Sequence, residues 1–184
     1  MDRTLGCNAS SSRSGQGHAK ILFGKLAQLI VAFAWLPVFV AQAEELKWRQ
    51  YYSVYKLDSS EAGDATDHIL GVGKLGGLII LEGGKMGTVQ ATFSVDYTRG
   101  VGPHLFYAVN RTEDGSGFVV HGQGTTTVSL ETSTSVFTGS FIFVVGTGRF
   151  AGIQGVGSYS GKRLAPISAG ASGYIDFEGS FSVR

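Results

Sequence analysis

Hydrophobic and polar residues alternate with a period of two along most of residues 44–184. In residues 89–97, Val89, Ala91, Phe93, Val95 and Tyr97 fall on one side of an extended chain, and Gln90, Thr92, Ser94 and Asp96 fall on the other. That is the pattern of a strand with one buried face. Residues 174–183 repeat it, with Ile175, Phe177, Phe181 and Val183 opposite Asp176, Glu178, Ser180 and Ser182. Residues 118–131 set Phe118, Val120, Val128 and Leu130 against His121, Gln123, Thr125 and Thr127, and residues 136–145 group Phe137, Phe141, Phe143 and Val145. The spacing predicts strands at 46–57, 68–73, 76–82, 87–99, 104–112, 117–131, 135–145, 152–161 and 173–183. Glycine-rich turns separate them at 83–84, 100–103, 114–117 and 146–148. Sequential hairpins of this length predict an all-β domain: a single antiparallel up-and-down barrel of about eight strands. An open β-sandwich is the alternative, and the two differ in whether the first and last strands pair.

Residues 1–43 break the pattern. Residues 1–19 are rich in Ser, Gly and Asn without apolar periodicity, which predicts a disordered extension. Residues 20–43 begin with Lys20 and Lys25, continue through an apolar run of about 15 residues and end in Ala41-Gln42-Ala43. The run is short for a helix crossing a bilayer core of about 30 Å. It predicts a signal helix cleaved between Ala43 and Glu44, and a secreted or periplasmic mature domain over 44–184; a retained N-terminal anchor is the alternative.

Composition narrows the picture. Cys7, the one cysteine, falls in the leader, so the domain holds no disulfide and no thiolate ligand. The leader takes four of the 15 basic residues and one of the 14 acidic ones, leaving the domain a net charge of about −2. Such a surface does not call for nucleic acid, or for a membrane once the leader is gone; an oligomer is compatible with it. His68, His104 and His121 have no short metal-ligand spacing, and no metal or cofactor is expected. Two segments, 71–76 and 146–151, match G-x-G-x-x-G/A, but each runs on into strand-like sequence rather than a helix, which argues against nucleotide binding. Glu82 ends an apolar run and reads as a strand-end charge reaching solvent, with a partly buried acid or base as the alternative. Asn110-Arg111-Thr112 is a glycosylation sequon.

Residues 135–164 carry a family resemblance. A hairpin strand leads into Gly146-x-Gly148-x-Phe150-x-Gly152 and then Gly155-x-Gly157-x-Tyr159-Ser160-Gly161. This resembles the allene oxide cyclase barrel superfamily, which includes dirigent-like proteins, and residues 51–60 are similar to that superfamily's first strand. The resemblance implies an eight-stranded barrel with an apolar interior pocket that steers a cyclisation or a radical coupling. The plant cyclases carry Glu-x-Asn on the first strand. Here Lys56-Leu57-Asp58 stands in its place, so the resemblance bears on the fold more than on the reaction. The expected function is binding of a small apolar molecule, with an isomerase- or cyclase-like scaffold as its enzymatic form. Tyr55, Asp58, Tyr97, Tyr107 and His121 are the expected lining, and no catalytic residue is assigned. The competing expectation is a structural or interaction barrel with a packed core. A cavity above about 300 Å³ separates the two.

Overall fold

Alternation at this length gives strands that must bury one face, and here they do so by curling the sheet onto itself. The computed structural model describes residues 43–129, 132, 134–164 and 172–184. They form β1 (Glu44–Glu61), β2 (His68–Leu81), β3 (Met86–Thr98), β4 (Gly102–Thr112), β5 (Gly117–Val128), β6 (Ser135–Thr147), β7 (Gln154–Arg163) and β8 (Ser172–Ser182). Each strand pairs antiparallel with the next in sequence. β1 pairs β8 from Glu44 opposite Phe181 to Ser53 opposite Ser172, so the sheet is a closed barrel and not a sandwich. The expected extension 1–19 and signal helix 20–43 lie outside the described residues, apart from Ala43.

Segments 68–73 and 76–82, expected as separate strands, are one strand. β2 stays paired to β3 through Gly76 and Gly77, with Gly76 opposite Gln90 and Gly77 opposite Val89. Gly77 is needed there: a Cβ on it would collide with the Tyr51 carbonyl across the sheet.

Two bulges reset which residues face inward. In β1 the register shifts between Val54 and Lys56, so Val54 and Leu57 are half-buried while Tyr55 and Lys56 are exposed. In β6 the extra residue is Val144: Val119 faces Val145 while Val120 faces Phe143. Val145, expected beside Phe143, is therefore 52% exposed.

The barrel has two unlike halves. One half, toward the β2–β3, β4–β5 and β6–β7 turns, is plugged by rings. Trp48 stacks on Phe177 with centroids 4.6 Å apart and planes 1° apart. Phe118 and Phe141 meet Trp48 edge-on at 5.1 and 5.4 Å. Phe150, on a 3₁₀ turn over Gly148–Phe150, packs on Phe118. Such geometry adds about 0.5–1.5 kcal/mol per pair to area burial. Neither glycine motif opens an α-helix: 71–76 lies within β2, and 146–151 runs from β6 into the 3₁₀ turn. Glu82 is exposed, as a strand-end charge should be. Asn110 of the sequon is 1% exposed and points its amide at the Phe118 carbonyl, so the folded barrel withholds it from a glycosyltransferase.

Candidate binding site

The other half, toward the β1–β2, β3–β4 and β5–β6 turns, is lined differently. Here the inward positions are Tyr52 on β1, Tyr97 on β3, His104 on β4, Thr126 on β5, and Tyr159 and Arg163 on β7. Parity places each of them. His104 shares a face with Phe106 and Ala108, Thr126 with Phe118 and Val120, and Arg163 with Tyr159.

The side chains form one connected chain. The Tyr97 hydroxyl lies 2.5 Å from Thr126 Oγ1, Thr126 Oγ1 lies 3.0 Å from His104 Nδ1, and His104 Nε2 lies 2.6 Å from the Tyr159 hydroxyl. Two glycines make room at the last contact. A Cβ on Gly124 of β5 or Gly139 of β6 would run into the Tyr159 hydroxyl. Burial, helped by the Arg163 charge, pushes His104 down to about 4, so its imidazole is neutral at pH 7. Burial also raises Tyr52 to about 12, and it raises Tyr97 and Tyr159, so all three phenols stay protonated.

All of these side chains but Thr126 border a cavity of about 60 Å³, whose remaining walls include Leu75, Ala91, Phe93, Phe106 and Ile175. Two polar atoms at it are buried with no partner among the described residues: Gln50 Oε1 and Arg163 Nε. Gln50 is 2% exposed. Arg163 also carries its guanidinium over the Phe137 ring, 5.4 Å from the centroid. A separate open groove of about 760 Å³ lies on the outer face of the β1–β4 wall, where Asp58, Leu70, Val72, Asp96 and Leu105 have outward parity. Val95 and His104 line both spaces. His68 ties the rim together, bonding Asp64 through Nδ1 and Asp96 through Nε2 at 2.7 Å.

Of the five residues expected to line the site, Tyr97 lines the cavity, while Asp58 lies on the outer wall, where it borders the groove. The other three correct the expectation too. Tyr55 is the bulge residue of β1 and points outward at 64% exposure. Tyr107 and His121 have outward parity and sit ring to ring across β4 and β5 on the outer wall, 5.9 Å apart. Their place on predicted strands was right; their face was not. His104, Thr126, Tyr159, Arg163 and Gln50 were missed, although alternation with Phe106, Phe118 and Trp48 marks three of them as inward. Lys56 and Asp58, which stand where the resemblance would put catalytic groups, form an exposed ion pair at 3.0 Å.

No known family matches the sequence, and no curated protein does. Among solved structures, a conserved protein of unknown function from Rhodopseudomonas palustris is similar. Its TM-score is 0.52 at 16% identity, covering 76% of this chain and 98% of that one. The likeness is one of fold. The pterocarpan synthase dirigent protein GePTS1 has a TM-score of 0.45 at 11% identity over 82% of this chain and 97% of its own. A second such protein, PsPTS1, has a TM-score of 0.43 at 13% identity over 78% and 98%.

Proposed function

We propose that the chain is a secreted or periplasmic barrel that binds a small, largely apolar molecule by its oxygen-bearing end. The observation that carries this reading is the pair Gln50 Oε1 and Arg163 Nε, an acceptor and a donor buried without partners beside an otherwise largely apolar space. Each such orphan costs about 1–3 kcal/mol. A ligand oxygen that bears a proton offers a donor to Gln50 and an acceptor to Arg163. The cavity, at about 60 Å³, is well below the roughly 300 Å³ of a whole-ligand pocket. It takes the polar end alone, and the apolar remainder extends out through the barrel mouth.

The plugged half and the small cavity favour the second reading, a structural barrel whose orphans are met by one or two waters. The two readings separate on one measurement. The protein, made in a secreting host, is examined by native mass spectrometry for copurified small molecules and by thermal shift against a lipophilic library. Binding predicts a ligand or a melting rise that Gln50→Leu and Arg163→Met abolish. If nothing copurifies and nothing shifts the melting, the binding reading fails. In that case Gln50→Leu should leave the barrel as stable as before, or more so, because it removes an orphaned polar atom.

A further inference from the structure

Two of the three phenols at the cavity, Tyr97 and Tyr159, are the ends of one hydrogen-bonded chain through Thr126 and His104. A neutral imidazole has one N–H and one acceptor nitrogen, and a hydroxyl both donates and accepts. The chain therefore has two polarities. In one, Tyr159 donates to Nε2, the Nδ1–H donates to Thr126, and Thr126 donates to Tyr97, whose own O–H is left over. In the other, Tyr97 donates to Thr126, Thr126 to Nδ1, and the Nε2–H to Tyr159, whose O–H is left over. Neither form needs a charged member, which agrees with the neutral His104 and the protonated phenols.

We propose that Tyr97, Thr126, His104 and Tyr159 are a proton relay that makes the barrel an acid–base isomerase for a small enolisable molecule. This rests on the binding reading of the same cavity. The step balances without charge. The ligand's enol O–H turns from Gln50 to Tyr97 and passes its proton to the Tyr97 oxygen. Tyr97 passes its own to Thr126, and Thr126 passes its own to His104 Nδ1. The Nε2 proton moves to Tyr159, and the Tyr159 proton goes to the ligand carbon. In the ligand an O–H bond breaks, a C–H bond forms, C=C becomes C–C and C–O becomes C=O; nothing is oxidised or reduced. The relay is left with the opposite polarity, which proton exchange with solvent at the open mouth restores. Arg163, the fixed cation among the groups facing the cavity, lies where it favours negative charge building on the ligand oxygen, and Tyr52 is the remaining titratable group.

Phenylpyruvate, a flat 2-oxo acid with a slowly decaying enol, tests the relay on the full chain. The enol absorbance should decay about 10²–10⁴-fold faster with the protein than in buffer, the range of positioned acid–base catalysis. His104→Gln keeps hydrogen-bonding groups but cannot exchange donor for acceptor. Tyr159→Phe keeps the ring and loses the terminal hydroxyl, which guards against a packing failure in the first variant. Both should lose most of the acceleration and keep the wild-type melting shift with phenylpyruvate. The wild-type rate should be flat between about pH 5 and 8, where a histidine of ordinary pKa would switch on. No acceleration, a step near the ordinary histidine pKa, or equal acceleration in both variants overturns the relay. A melting shift without acceleration overturns the relay and leaves the binding reading standing; absence of both overturns both.

Discussion

His104 shows how one position takes its chemistry from its surroundings. Burial first, then the Arg163 charge, holds its folded pKa at about 4, below its ordinary value near 6.5. The unfolded chain thus binds the extra proton first, so this group makes stability fall as pH drops from about 6.5 toward 4 and level off below that. His68 works the other way. Its hydrogen bonds to Asp96 and Asp64 raise its pKa, so its contribution is complete below about 6.5 and is lost as pH rises through the raised value. Urea denaturation across this range should give a stability curve whose acid-side slope is reduced in His104→Gln. A slope unchanged by the substitution would show that His104 takes up its proton as readily in the folded state as in the unfolded chain. A second prediction belongs to a glycine. Gly124→Ala sets a methyl against the Tyr159 hydroxyl and the Thr138 carbonyl. It should cost about 1–3 kcal/mol by overpacking and disturb the His104–Tyr159 contact, seen together as a lower urea midpoint and a shifted His104 signal in NMR spectra.

At the scale of elements, the bulges decide which side chains enter the barrel. Alternation correctly assigned the inner face of β3, where Val89, Ala91, Val95 and Tyr97 are all buried. It misassigned Val145 because an extra residue at Val144 is invisible to a period-two count. It also gave no reason to choose between faces once both carried aromatics, and so Tyr55 and Tyr107 were placed inside. The ring plug makes a sharper prediction. Trp48 touches Phe118, Phe141 and Phe177 and is 3% exposed. Trp48→Ala should cost about 3–5 kcal/mol, read as a loss of urea midpoint at unchanged slope. A cost under about 1 kcal/mol would mean that the plug collapses around the gap.

For the whole molecule, closure depends on β1 reaching β8. Glu44, the first residue of β1, stands opposite Phe181, and Lys47 and Arg49 bond Glu178 and Asp176 across the same seam. The expected cleavage between Ala43 and Glu44 would therefore leave the seam whole. N-terminal sequencing of protein exported by a secreting host should begin at Glu44. A start further inside β1 would remove ladder pairs and contradict the leader assigned to 20–43.

The β class, the antiparallel hairpin order and most of the inward face were legible in residues 44–184, because alternation and glycine turns are local and each strand reports its own. The face of each bulged strand was not, since a bulge shows only against its partner. The site was legible in part. Its types were there to be read, but His104, Thr126 and Tyr159 lie 22 and 33 residues apart along the chain. Only barrel closure brings an imidazole from β4, a hydroxyl from β5 and a phenol from β7 into hydrogen-bonding distance. Whether the interior is filled or hollow also belongs to the tertiary structure, because it depends on how rings from eight strands divide the space: tight against Trp48 at one end, and parted at Gln50 and Arg163 at the other.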